Sequence, residues 1–375
     1  MTPKPTLIVF LGGLGDSRVE RLVADARRAA TLDSIDAALK TDAYAGAILV
    51  TDSPALESLP GLEVDVDTGD FHFGRRLAGV IRQHGLARVV YMGGGSIPLL
   101  PAEELAGIAA AVSGGSTVTN NQYSSDVAGF ALEDQGTGTG TILAAVEAVD
   151  RDNALARALA ETAGLPVTEL PRSIETLFDI DAPTDLAVLA LTGLGGRRLR
   201  ECLAGHDIDT GTYSRILPLF LDRRKQIIVA GRVGSHAWQY MESQTACRVR
   251  LFAEERGMEA DGRADAGAAR SLLGYYLQAA GAERFFATLA ELGDAAVIDS
   301  RVLAAHNGAR PSREDRFLSD LGRWQEVGDP FLRELTRGSA EAQIPVILGG
   351  HSLMSGGLML LNEHAWRLRD EGVLA

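Results

Sequence analysis

From its start to about Thr192 the chain alternates short β-branched runs with longer helical patterns, and no other feature limits its fold as strongly. Residues 6–11, 47–51, 62–66, 88–92, 116–120 and 167–170 are the strand candidates. Between them, stretches such as SRVERLVADARRAATLDSIDAAL, FGRRLAGVIRQHGL, AEELAGIAAAV and RDNALARALAETAGL space apolar residues three and four apart, as one-sided helices do. Strand and helix in alternation imply an α/β fold, a doubly wound and mostly parallel sheet covered on both faces. Ligands of such sheets sit beyond the carboxyl ends of the strands, where the loops open.

After LTGLGGRR at 191–198 the pattern changes to predominantly helical stretches, with one late strand candidate, IPVILGG at 344–350. The expectation is an α/β domain over 1–194 followed by a mainly α-helical domain over 195–375. A chain of 375 residues with 46% hydrophobic residues is long enough for two separate cores. The net charge is −14 and the basic residues are interspersed with acids, which does not support a nucleic-acid footprint. Lysine occurs only at Lys4, Lys40 and Lys225, so an anionic substrate would be gripped by arginine, through two parallel hydrogen bonds. Cys202 and Cys247 lack a partner motif, and reduced buried thiols are expected. No stretch reaches the roughly 18 apolar residues of a membrane span, and no cleavage signature follows the start, so a cytoplasmic location is expected.

Four loops carry candidate chemistry. FLGGLGDSR at 10–18 leaves backbone N–H groups of Gly12, Gly13 and Gly15 unobstructed at a strand end, with Ser17 as helix cap, and could cradle phosphates or serve as a plain tight turn. GGGSIPLL at 93–100 ends a strand in three glycines with Ser96 at the crest. TVTNNQYSSDVAGFAL at 117–132 concentrates Asn120, Asn121, Ser124, Ser125 and Asp126, groups that bond a base, a sugar or a metal-bound water, or build a turn. ILGGHSLMSGG at 347–357 brackets His351 with bare glycine backbone, open to a ligand. In DTGDFHFGRRL at 67–77, Asp70, His72, Arg75 and Arg76 read more simply as a solvated helix start. His306, with Asp299, Asp315 and Asp320, either faces a cleft or joins the ion pairs that pin helices together.

Taken together, GGGSIPLLPAEEL, SSD at 124–126 and TLFDIDAPTDLAVL at 176–189 resemble the nucleotidyltransferases of the MobA-like and sugar-phosphate type, over residues 5–192 only. In that family a strand ends in Gly-Asp-x-Pro-Leu, whose aspartate holds catalytic magnesium, and an Asp-x-Asp/Asn-Thr-Pro-Glu-Asp-Leu motif follows later. Gly95, Ser96, Ile97, Pro98 and Leu99 fall on the first motif, so Ser96, a weak neutral ligand, replaces the metal-binding acid. Asp179 and Asp181 match the acids of the second motif and are the implied magnesium ligands. The family's Leu-Ala-Ala-Gly-x-G-x-R-M-G loop is matched only by FLGGLGDSRVERL, with Arg18 or Arg21 as the basic element and Asp16 placing negative charge where phosphate should approach.

The resemblance implies transfer of a nucleotidyl group to a small phosphorylated or hydroxyl substrate. The candidate catalytic residues are Arg18, Ser96, Asp126 and His351. Gly12, Gly13, Gly15, Asn120 and Asn121 would hold the nucleotide, and Asp179 and Asp181 the Mg2+. A nucleotide-sugar glycosyltransferase and a non-catalytic, degenerate transferase kept for binding or assembly are the alternatives. The expected partner is a nucleotide or nucleotide sugar, with no nucleic acid and no membrane; self-association into a homo-oligomer stays open.

Overall fold

The protein is described by a computed structural model over residues 3–52, 58–67, 69–132 and 138–374. Strands β1 (Thr6–Leu11), β2 (Gly46–Thr51), β3 (Leu62–Val66), β4 (Arg88–Gly93), β5 (Thr117–Thr119), β6 (Val127–Ala131) and β7 (Val167–Glu169) form one sheet in the order β3-β2-β1-β4-β6-β5-β7. Only β6 runs antiparallel, against both β4 and β5. The stretch 117–132 is thus two strands, folded back on each other through the polar residues 120–126.

Alternation along each strand builds both faces of this sheet. Ile8, Phe10, Ile48, Val50, Val89 and Tyr91 pack with helices Phe73–Gln83 and Thr139–Glu147. Leu7, Val9, Leu11, Leu49, Val90 and Met92 pack on the opposite side with helices Arg18–Lys40 and Ala102–Ser113. Successive residues of one strand feed two cores, because side chains on a pleated strand point alternately up and down. This is the doubly wound α/β sheet expected from the alternating pattern.

The second half is rich in helices and is also organised around a sheet. Strands β8 (Gln226–Gly231), β9 (Arg248–Ala253), β10 (Ala295–Asp299) and β11 (Val346–Gly349) lie in the order β11-β10-β8-β9, all parallel. Of these, β11 alone was expected. The runs QIIVAG and AAVID are short and continuously apolar, as strands buried on both faces are, and periodicity does not tell such runs from buried helix.

The chain divides into two compact units, Met1–Leu14 with Ala24–Leu177 and Gly195–Leu199, and Gly15–Val23 with Phe178–Leu194 and Arg200–Ala375. The boundary expected at 194/195 is therefore crossed. Helix Pro183–Thr192 explains why: Pro183 to Leu189 are all buried, with Ala190 the one exposed residue of the helix, and it packs against helices Gly211–Phe220 and Leu358–Asp370. Among the described residues no helix is long and apolar enough to cross a membrane.

Candidate functional site

In the first sheet, β1 lies between β2 and β4: the chain winds outward through β2 and β3, then returns to the other side of β1 as β4. Ligands of such sheets sit where the winding reverses, here beyond the carboxyl ends of β1 and β4. The glycine loop after β1 and the Gly-Gly-Gly-Ser loop after β4 both leave at this point, so two loops distant in sequence become neighbours. Gly94 N–H donates to the Phe10 carbonyl at 2.7 Å.

The three glycines of the β4 loop answer to packing. A Cβ on Gly93 would stand 2.8 Å from Ser96 Oγ, and one on Gly94 would stand 2.9 Å from the Phe10 carbonyl. Gly95 has φ +82°, and its N–H donates to Thr31 Oγ1 at 3.0 Å. Arg27 Nε and Nη2 both donate to the Gly94 carbonyl, at 2.9 and 2.7 Å. Buried Ile97 is held at φ +41°, a left-handed conformation that a β-branched residue adopts only when its surroundings impose it. Ser96 is half-buried on this rigid crest, and the loop continues as a turn until the helix starts at Ala102.

Behind Ser96 lies a polar floor. Asp152 Oδ2 accepts from the Tyr91 hydroxyl at 3.0 Å and lies 3.6 Å from the point a Gly93 Cβ would occupy. Burial, then the charge of Asp152, pushes the Tyr91 pKa well above its ordinary value, so the hydroxyl remains a neutral donor. Asp126 sits alongside, its carbonyl accepting from Gly93 N–H at 2.9 Å and its carboxylate accepting from Asn120 Nδ2 at 3.0 Å. Asn120 Oδ1 also accepts from the N–H groups of Asp126 and Val127, and Asn121 Oδ1 accepts from Tyr123 N–H. Both asparagines therefore build the β5–β6 turn. Asp152 escaped the sequence reading because VDRDN, just before an apolar helix, looks like an ordinary helix start.

The glycine loop is open at one position and engaged at the others. Among the described residues, no atom beyond its chain neighbours lies within 4 Å of a Cβ position at Gly12. Gly13 N–H donates to Asp52 Oδ2 at 2.8 Å. Farther on, Ser17 and Glu20 form a reciprocal cap, Ser17 N–H on Glu20 Oε2 at 3.2 Å and Glu20 N–H on Ser17 Oγ at 3.3 Å. Gly15, at φ +131°, brings the backbone against the Glu20 carboxylate. Carboxylates thus hold N–H groups that a phosphate would otherwise take. Arg18 is exposed at the first position of its helix, and Gly15 to Val23 group with the second unit.

The second unit holds the FDIDAPTDL motif, whose local work is helix initiation. Asp185 Oδ2 accepts from the N–H groups of Asp181 and Ala182, at 2.9 and 2.8 Å, with Pro183 opening the helix. Ser352 Oγ clamps the backbone of Asp179, donating to its carbonyl at 2.7 Å. Asp179 is half-buried and Asp181 exposed. Among the described residues no group of three or more His, Cys, Asp or Glu side chains is placed to hold a metal ion. Magnesium is commonly held by one or two carboxylates together with substrate phosphates and water, and Asp179 and Asp181 are the two carboxylates the motif supplies.

Asp185 is 1% exposed and its Oδ1 has no hydrogen-bond partner among the described residues. Burial, then the neighbouring Asp181 charge, raises its carboxyl well above the ordinary aspartate range. A raised folded-state pKa means the stability Asp185 contributes is fully present below about pH 4, the unfolded value, and is lost as pH rises through the folded value. Asp185→Asn keeps the cap and removes the titration. Urea unfolding at a series of pH values should show wild type losing stability relative to this variant as pH rises, by up to about 1.4 kcal/mol per pH unit; parallel curves would show that Asp185 is ionised in the fold.

The two histidines have separate fates. His306 is buried, its Nδ1 accepting from Ser271 N–H at 3.1 Å and its ring packed edge-on to Tyr275 and against Gly274, so it ties two helices together. His351 is exposed just past β11. Protein crowding around the ring, then Arg232, lowers its pKa below the ordinary imidazole value, with Asp299 and Asp181 acting oppositely. The charges expected to pin helices do so: Arg232 chelates Asp299 at 2.6 and 3.2 Å, and Arg301 chelates Asp320. Ser312 caps the helix of Asp315, accepting from Asp315 N–H and donating to its carboxylate, both at 3.0 Å, and His72 caps another helix by accepting from Arg75 N–H at 3.3 Å.

These observations define an α/β protein whose two glycine loops meet at the reversal point of a mostly parallel sheet. No protein-family model and no curated protein matches the chain. Among solved structures, it is similar to a Desulfovibrio desulfuricans protein provisionally named a nucleotide-diphospho-sugar transferase, with 17% identity, a TM-score of 0.38, and coverage of 55% of this chain and 99% of that one. It is also similar to a cytidylyltransferase of Leptospira borgpetersenii, with 12% identity, a TM-score of 0.35, and coverage of 54% of this chain and 92% of that one.

Proposed function

We propose that the first unit binds a nucleotide in the crevice between the β1 and β4 loops and transfers its nucleotidyl group to a small phosphorylated or hydroxyl substrate. One observation carries the reading: the strand order brings the two glycine loops singled out in the sequence to the same reversal point, where α/β sheets take their ligands. The open backbone at Gly12 admits a phosphate. Ser96 and the Tyr91-anchored Asp152 face the reacting end. An acceptor oxygen attacks the α-phosphorus in line, a new P–O bond forms, the bond to pyrophosphate breaks, and the acceptor's proton passes to a carboxylate of Asp126 or Asp152. Acceleration comes from positioning rather than a covalent intermediate.

Gly12→Val separates ligand from fold. A Cβ there meets no atom of the described residues within 4 Å, so the melting temperature without ligand should match that of wild type, while nucleotide affinity falls at least about tenfold, equivalent to about 1.4 kcal/mol. Calorimetric titration with a panel of nucleoside triphosphates measures the second quantity, and undiminished affinity removes the site from this loop. Product analysis then decides the reaction, since release of a nucleoside diphosphate from a nucleotide sugar, in place of pyrophosphate, would make the enzyme a glycosyltransferase.

A further inference from the structure

The second unit holds a cavity of about 420 Å³, a volume in the range of small-molecule sites, lined by Ser243, Gln244, Thr245, Ala246, Glu363 and Trp366. Two helices make most of it. Helix Ser235–Gln244 ends there with Thr245 as its C-cap, and helix Leu358–Asp370 supplies Glu363 and Trp366.

The donors of this wall are spent on the protein itself. Ser243 Oγ donates to the Gln239 carbonyl at 2.8 Å, and Thr245 Oγ1 to the Met241 carbonyl at 2.6 Å. The N–H groups of Thr245 and Ala246 donate to the Met241 and Phe220 carbonyls, and the indole Nε1 of Trp366 donates to the Gln244 carbonyl at 2.8 Å. Tyr240 gives its hydroxyl proton to Glu363 Oε1 at 2.6 Å; burial, then that carboxylate, raises the phenol pKa, so the proton stays on the ring oxygen. Gln244 Nε2, bonded to Ser243 Oγ at 3.2 Å, is the exception and keeps one proton. What the wall has left is acceptors: the second carboxylate oxygen of Glu363, the lone pairs of two hydroxyls and an indole ring.

A buried atom repeats this shortage of donors. Asn362 is 0% exposed, its Nδ2 donates to Tyr240 Oη at 3.0 Å and to the Gln244 carbonyl at 3.3 Å, and its Oδ1 has no hydrogen-bond partner among the described residues. Helix polarity acts in the same sense, since the end of helix Ser235–Gln244 carries the negative pole of its dipole and favours cations. The Trp366 ring already takes one cation, with Arg369 Cζ 4.0 Å from its centroid, and Asp370 neutralises that guanidinium through bonds from Nε and Nη2. An anion would find almost no donor in this cavity, whereas a charged N–H donor finds a carboxylate, two hydroxyl oxygens and an aromatic wall.

We infer that this cavity binds the ammonium group of a small primary amine, with Glu363 as its counter-ion, the Ser243 and Thr245 hydroxyl oxygens as acceptors and Trp366 as its aromatic wall. The site lies within the second unit and does not depend on nucleotide binding by the first.

Calorimetric titration of the full chain with n-butylamine, at neutral pH and constant ionic strength, tests it. Tetramethylammonium, which has the charge and no N–H, and 1-butanol, which has the carbon chain and no charge, are the comparisons. Wild type should bind butylamine at least about tenfold more tightly than either. Glu363→Gln keeps an acceptor for Tyr240 and removes the charge, so affinity should fall at least about tenfold. Glu371→Gln, at an exposed acid ending the same helix, should bind like wild type. Trp366→Leu removes the aromatic wall and should weaken binding about threefold or more. Glu363 is exposed and the glutamine isosteric, so the melting temperature of that variant should match wild type, which separates lost affinity from unfolding. No binding of butylamine by wild type, undiminished binding in Glu363→Gln or Trp366→Leu, an equal loss in Glu371→Gln, or either comparison compound held as tightly as butylamine would each overturn the inference.

Discussion

Asp299→Ala should destabilise the second unit by about 3–5 kcal/mol, the range for breaking a buried ion pair from one side. Asp299 is 0% exposed at the end of β10, chelated by Arg232, and its Oδ1 also accepts from the Arg301 N–H that starts the next helix. Burial by itself would raise the Asp299 carboxyl, yet Arg232 overrides it and holds the pKa below the ordinary aspartate value. The alanine variant therefore loses three hydrogen bonds and strands a guanidinium that is nearly enclosed. Asp299→Asn keeps the volume and an acceptor for the helix start, and should fall between wild type and alanine. Urea unfolding followed by far-ultraviolet circular dichroism reads the difference, and a loss under about 1 kcal/mol for alanine would mean that water already solvates Arg232.

The second large effect is expected at Gly94. Valine there would push into Leu11 Cδ1, at 2.7 Å from the Cβ position, and into the Phe10 carbonyl, at 2.9 Å. The carbonyl belongs to the last turn of pairing between β1 and β4 and accepts from Gly94 N–H itself, so it has no room to retreat without opening the sheet. Overpacking of this kind costs about 1–3 kcal/mol, and more where backbone must move. Gly12→Val, two residues past Phe10, should leave stability alone. Equal melting temperatures for the two valine variants would refute the distinction between a glycine required by packing and one left open for a ligand.

Much of the first unit was legible because its signals are local. A β-branched run closed by glycine and followed by apolar residues three and four apart specifies strand, turn and helix within a few tens of residues, and the observed β1, β3 and β4 start where those runs start. The glycine loops were legible as loops for the same reason. Their meaning was not: GGGS looks like a ligand cradle, but its glycines answer to Arg27, Thr31 and Phe10, far away in sequence. FDIDAPTDL looks like a metal motif, while Asp185, the acid with the largest role there, caps its own helix and lies buried.

The sequence alone determined that the chain is α/β at its start, that its strands would be separated by one-sided helices, and that Gly12, Ser96 and His351 would stand at element ends. Periodicity and turn chemistry act over neighbouring residues, so they are written in order along the chain. Only the tertiary structure decided that Tyr91 and Asp152 would stand behind Ser96, that β8, β9 and β10 would make a second parallel sheet, and that Trp366 would come to rest on the Gln244 carbonyl. Strand order, and the partner each buried charge finds, follow from how whole layers cover one another's apolar faces, and no short window of sequence carries that information.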